Sequence, residues 1–287
     1  MIQNRGEHAG AAAQGAPAEP PLLECRGLSK TYPAARRGEI QPPALIDAAV
    51  SVRRGECLGV VGESGSGKTT LAHCLAGLLL PSSGTVSYDG QTLSAPDARR
   101  RFPRVRGIQV VFQDPASSLN PLRSVGSVLR EIIRVHDLRP KGSAQARVDE
   151  LLGLVGLDRT AAARRPRRLS GGQQQRVAIA RALAFEPRLI IADEIVSALD
   201  ASVQAQILNL LADLREQLGL AIILVTHDMS VARHLCDRII VMQAGQIVEA
   251  GPADQVLLSP RHHYTQELLR AVPRLDATFA APPGPGA

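Results

Sequence analysis

Gly62, Glu63, Ser64, Gly65, Ser66, Gly67, Lys68 and Thr69 follow one another, and their types and spacing suit one task, the holding of linked phosphates. Gly65 and Gly67 let the backbone turn so that successive N–H groups point inward at phosphate oxygens. Lys68 supplies a cation for the β- and γ-phosphates, the Thr69 hydroxyl a ligand for Mg²⁺, and Thr70 a donor for the α-phosphate. The pattern lies between the apolar run CLGVV and the helical stretch TTLAHCLAGLLLP. That strand–loop–helix context separates a phosphate-binding loop from a Gly/Ser-rich surface turn, and the helix adds the positive end of its dipole.

A loop of this kind needs a carboxylate at the end of a neighbouring strand to hold the metal shell. LIIADE (189–194) supplies it. Asp193 follows four apolar residues and is the expected Mg²⁺ residue. Glu194 comes next, and because successive strand residues face opposite ways its role is expected to differ: it would polarise the attacking water as general base. A third strand-like run, AIILVTH, ends in His227. The ligands expected from these residues are ATP and Mg²⁺.

These residues require a frame to position them. Strand-like runs at LLECRGLSKTY, ALIDAAVSV, CLGVV, IQVVF, LIIAD and AIILVTH alternate with helical periods, which implies a mostly parallel sheet in an α/β fold. Leu71, Leu75 and Leu78 are expected on one face of the first helix, stopped by Pro81. Residues 115 to about 168 have mainly helical period and read as a helical insertion. SVQAQILNLLADLREQLG reads as an amphipathic helix, DRIIVMQAGQIVEAG as a hairpin turning at Gly245, and YTQELLRAVP as a final helix.

The 287-residue chain is 45% hydrophobic but only 2% aromatic, with no Trp, so its core must be built from Leu, Val, Ile and Ala. Net charge is +6, which Arg-rich composition accounts for without a nucleic-acid partner. No run approaches the eighteen or so apolar residues of a membrane span. The first residues lack a basic-then-apolar signal layout, and a cytosolic chain is expected. Cys25, Cys57, Cys74 and Cys236 include no CxxC spacing and read as packing residues of a reducing compartment. Residues 1–21, rich in Ala, Gly and Pro, are expected to be a disordered tail.

Leu169, Ser170, Gly171, Gly172 and Gln173, continuing as QQRVAIARALAFEP, lie between the phosphate loop and the Asp193 strand. With this pentapeptide in this order the sequence resembles the ABC transporter ATPases. Ser170 can cap the helix that follows, and Gly171 and Gly172 leave its N-terminal N–H groups open to an anion. The resemblance implies an ATP-binding cassette with a RecA-like core, an antiparallel β region and a helical signature subdomain at about 115–185. It also implies that the signature faces the γ-phosphate held by the loop of a second ATPase subunit. Tyr32 stands where the family has an adenine-stacking aromatic, Gln113 at the family's Mg²⁺- and membrane-sensing glutamine, and Asp200 in the segment joining the two subunits. His227 stands at the histidine that contacts the γ-phosphate. The family commonly has Pro after the catalytic Glu; Ile195 neither fixes φ nor removes a donor.

Within the family, FQDPASSLNPLRSVGSVLREII (112–133), VSALDASVQAQILNLL (196–211) and RHHYTQELLRAVP (261–273) resemble the ATPases of dipeptide, oligopeptide and nickel importers. That resemblance implies a cassette over 22–258 and a C-terminal extension over 259–287. It implies two transmembrane permease subunits gripped through the segment after Gln113, and an extracytoplasmic solute-binding protein met only indirectly. The subunit would then sit peripherally on the cytoplasmic face of the inner membrane. Some members of such paired ATPases carry a C-terminal cysteine cluster; this chain has none and resembles the shorter partner. An exporter ATPase or a soluble ABC protein is the alternative, but two cassettes or a long coiled-coil insertion, usual in the soluble types, are not visible in the sequence.

Overall fold

Strands buried on one face and strands buried on both assemble into separate sheets. The computed structural model describes residues 20–33, 42–96, 106–115, 119–136 and 144–271. Strands β1 (Leu23–Lys30), β2 (Leu45–Val52), β4 (Ser83–Tyr88) and β5 (Gln91–Ser94) form an antiparallel sheet in the order β2-β1-β4-β5. The hairpin of β4 and β5 is absent from the strand-like runs of the sequence, although Asp89 and Gly90, both at positive φ, are a two-residue turn signal.

The second sheet has six strands in the order β10-β9-β3-β8-β7-β6. They are β3 (Cys57–Val61), β6 (Ile108–Val111), β7 (Leu189–Asp193), β8 (Ala221–Thr226), β9 (Arg238–Gln243) and β10 (Gln246–Pro252). All neighbours pair in parallel except β9 and β10, which form the expected hairpin across Ala244 and Gly245. Every residue of β3, β7 and β8 is buried, as strands covered on both faces must be.

Side-chain alternation sorts the core into two layers. Leu58, Val60, Ile191, Ile223 and Val225 face the antiparallel sheet and helix α1 (Lys68–Leu75). Cys57, Val61, Ile190, Ala192, Ile222 and Leu224 face the remaining helices. Those are α2 (Val125–Val135), α3 (Ala144–Leu154), α4 (Gly171–Leu183), α5 (Ala201–Leu218) and α6 (Met229–Leu235), with α7 (Ala253–Leu258) and α8 (His263–Ala271) after β10. Helices α2, α3 and α4, with two short 3₁₀ turns, lie between β6 and β7 in the chain, where the helical insertion is expected.

One apolar assignment fails. Helix α1 ends at Leu75, and Gly77 at φ +68° reverses the chain two residues later, so Leu78 is 59% exposed instead of sharing the buried face of Leu71 and Leu75. All four cysteines are buried, in keeping with a packing role. Residues 1–19 of the expected tail at 1–21 lie outside the described residues. Among the described residues no helix is long and apolar enough to cross a membrane.

Candidate active site

Strand order brings the polar residues together. Strands β3, β8, β7 and β6 are adjacent and parallel, with Val61 opposite Thr226, Val225 opposite Asp193, and Ala192 opposite Val111. Their carboxyl ends therefore release Gly62, His227, Asp193 with Glu194, and Gln113 along a single edge, where open α/β sheets bind ligands.

The loop from β3 to α1 is tightly shaped. Gly67 caps α1 at φ +102°, and a Cβ there would lie 2.5 Å from the Ala44 carbonyl oxygen; no other residue fits. Lys68 is buried, and its Nζ donates to the carbonyls of Gly62 at 2.8 Å and Glu63 at 2.7 Å. Burial holds its pKa below the ordinary lysine value, while the charges of Glu194, Asp193 and Glu63 pull it back. The Ser66 hydroxyl is buried inside the loop and has no hydrogen-bond partner among the described residues, as suits a group whose partner is a phosphate. Glu63, Ser64 and Gly65 line the exposed outer part of the loop. Tyr32 reaches the same helix, its hydroxyl 3.3 Å from Thr70 Oγ1.

Two carboxylates stand over the loop. The Thr69 hydroxyl donates to Asp193 Oδ1 at 3.3 Å; this pair of hard oxygen donors suits Mg²⁺. Burial raises the Asp193 pKa, and His73, whose Nε2 lies 3.7 Å from Oδ2, opposes the rise. Glu194 Oε1 lies 4.0 Å from Lys68 Nζ and 3.7 Å from His227 Nδ1. Strict alternation would have aimed Glu194 away from Asp193. It does not, because β7 ends at Asp193 and Glu194 adopts φ +50°, outside the strand region, so both carboxylates act on Lys68.

Ile195, in place of proline, is 2% exposed in the core. The turn is fixed instead by Ser197, whose N–H and hydroxyl both donate to the Glu194 carbonyl, at 3.2 and 2.9 Å. The Gln113 amide donates to Ser197 Oγ at 3.0 Å, which ties Gln113 to the Glu194 turn.

Ser170, Gly171, Gly172 and Gln173 form a separate group at the start of α4. Ser170 accepts from the Gln173 N–H and the Gln173 side chain accepts from the Ser170 N–H, a complete capping box. The N–H groups of Gly171 and Gly172 belong to the helix end and have no intrahelical acceptor. This group borders the start of α5, with Gly171 near Leu199 and Gly172 against Val203. Asp200 caps α5, accepting from the Val203 N–H at 3.0 Å, a bond that lowers its pKa. None of Ser170 to Gln173 bonds the phosphate loop within one chain.

Two neighbours of the site do not stand out in the sequence. His73 sits four residues after Thr69, one helical turn along the same face, so its spacing is a usable signal. Ser197 carries no such signal beyond its place in SALD.

Comparison with known proteins agrees with this geometry. The family described as "ABC transporter" matches residues 45–197, and "Oligopeptide/dipeptide transporter, C-terminal region" matches 248–284. The dipeptide transport ATP-binding protein DppF of Escherichia coli K12 is 42% identical over 269 residues, 92% of this chain and 80% of that protein. The oligopeptide transport ATP-binding protein OppF of Streptococcus mutans is 41% identical over 89% of this chain and 82% of its own. OppD of Mycobacterium tuberculosis is 44% identical over 89% of this chain, but only 42% of OppD is covered. Among solved structures, the dimeric post-hydrolysis state of the cassette MJ0796 bound to ADP and Pi aligns with TM-score 0.69 at 32% identity, over 81% of this chain and 99% of that one. The cbiO1 protein of Clostridium perfringens, part of the ABC transporter complex cbiONQ, aligns with TM-score 0.72 at 30% identity, over 84% of this chain and 92% of that one. The tight Gly62–Thr69 loop, two strand-end carboxylates and the capped helix after Ser170 thus stand in a cassette fold shared with these proteins, and the chain belongs to the ABC transporter ATPases.

Proposed function

We propose that this chain is the ATP-hydrolysing subunit of an importer for peptides or a related small solute such as nickel. The observation that carries the chemistry is the position of Lys68, buried between the loop carbonyls and 4.0 Å from Glu194. An ammonium held there is ready to exchange carbonyl partners for the β- and γ-phosphates. The choice of solute class rests on the C-terminal region match and on the names of the relatives.

Each residue then has a task. Tyr32 stacks on adenine; Gly62 to Gly67 wrap the phosphates with backbone N–H groups; Thr70 donates to the α-phosphate. Thr69 and Asp193, with Gln113 at the edge, would hold Mg²⁺, which when bound would neutralise negative charge on the β- and γ-phosphates. Glu194 takes the proton of the attacking water, and His227 holds the γ-phosphate opposite it. Because Ser170 to Gln173 make no bond to their own loop, they serve the loop of a second subunit, either a copy or a close relative, whose interface also includes Asp200. Closure on two ATP molecules moves two permease subunits through the segment after Gln113, and hydrolysis reopens the pair. The chain would work on the cytoplasmic face of the membrane, with the cassette at 22–258 and the extension at 259–287.

Reconstitution with the permease subunits in liposomes tests this reading. ATP turnover should rise when a solute-binding protein loaded with di- or oligopeptide, or with Ni²⁺, is added. Turnover indifferent to every loaded binding protein would refute the importer assignment.

A further inference from the structure

Tyr264 and Glu63 are 201 residues apart in the chain, yet the Glu63 N–H donates to the Tyr264 phenolic oxygen at 3.1 Å. That N–H belongs to the peptide unit joining Gly62 to Glu63, whose carbonyl, on Gly62, accepts from Lys68 Nζ at 2.8 Å. One peptide plane at the entry to the phosphate loop is therefore gripped at both ends, by Lys68 and by Tyr264. When Lys68 turns toward a phosphate, the bond to Tyr264 is the grip that stays.

Tyr264 is itself firmly placed. It lies in α8 and is 6% exposed, a member of the larger core. The approach to α8 is tied to β10, where the Glu249 carboxylate accepts from the N–H groups of Arg261 at 2.8 Å and His262 at 3.1 Å. His262 Nδ1 then accepts from the Tyr264 N–H at 3.2 Å, and Leu268 and Leu269 pack against the core.

We infer that Tyr264 is a positioning residue of the nucleotide site, through which the C-terminal segment 249–271 holds the loop entry in its phosphate-ready conformation. Docking of this segment and binding of ATP are then reciprocally coupled. The inference rests on the reading of Gly62–Thr69 as the ATP loop.

Tyr264→Phe in the full chain keeps the ring and removes only the acceptor oxygen. Loss of one hydrogen bond, worth about 1 kcal/mol, corresponds to about a fivefold weaker ATP Kd, with kcat at saturating ATP within about twofold. Hydrogen exchange at the Glu63 amide, followed without nucleotide, should quicken by at least that factor. Leu151→Ala, which loosens the core at the helical insertion and leaves segment 249–271 untouched, should lower Tm and leave Kd unchanged. Unchanged ATP affinity and unchanged Glu63 exchange in Tyr264→Phe would overturn the inference, as would an equal Kd loss in Leu151→Ala. If the unsubstituted chain binds no ATP while Tyr264→Phe still unprotects Glu63, the contact stands and the loop assignment is what fails.

Discussion

Glu194→Gln separates ATP binding from hydrolysis, and the geometry fixes both signs. The carboxylate lies 4.0 Å from Lys68 and 3.7 Å from His227. At that separation, near a protein surface, a unit-charge pair has a gross attraction of about 4 kcal/mol. The amide abolishes this attraction, which frees Lys68 to engage phosphate and removes a negative charge that opposes the triphosphate. ATP affinity should therefore hold or tighten. With Glu194 in its proposed role as general base, kcat should fall about 10²–10⁴-fold, or about 3–5.5 kcal/mol of barrier. Shape is conserved, since Gln occupies the same volume at the same φ of +50°. Equilibrium binding of ATP and phosphate release at saturating ATP are the two measurements. Turnover within about twofold of the unsubstituted chain would show that another group is the base. Weakened binding would show that Glu194 does not oppose the nucleotide's charge.

Two further substitutions or treatments probe the frame. Gly172→Ala places a Cβ 2.4 Å from Val203 Cγ1, so it should separate the signature helix from α5 and cost about 1–3 kcal/mol in thermal or chemical unfolding; Val203→Ala in the same chain should restore most of that stability, and no rescue would refute the contact. Burial raises the Cys25 thiol to about 12 and Cys74 to about 11, above the ordinary value of 9.0. Both should resist thiol reagents at pH 8 until the chain unfolds. Their raised pKa values favour the fold fully below about pH 9 and lose that contribution as pH climbs from 9 toward 11–12. Stability that is flat across this alkaline window would refute the assignment.

Local pattern reveals the groups that chemistry requires at strand ends. Lys68 is legible from the glycine-rich loop pattern, and Asp193 and His227 because a fully apolar strand rarely gives way to a polar residue unless a ligand or solvent waits at its end, with parallel pairing placing such ends side by side. The course of Glu194 is not legible, since alternation holds only while the strand lasts and φ departs from the strand at that residue. Leu78 escapes the pattern for a related reason: helical period says nothing about where Gly77 turns the chain. The contact of Cys57 with Cys236 at 3.6 Å and that of Glu63 with Tyr264 join residues remote in sequence, and nothing in either neighbourhood announces the partner.

The backbone at Glu194 also has an evolutionary consequence. A non-glycine residue in the left-handed region costs about 1–3 kcal/mol, so Gly or Asn there would relieve the chain and make a sturdier protein. That sturdier protein would have no carboxylate beside Lys68. Selection for folding alone would erase this glutamate, and its persistence in a lineage would therefore record demand for turnover.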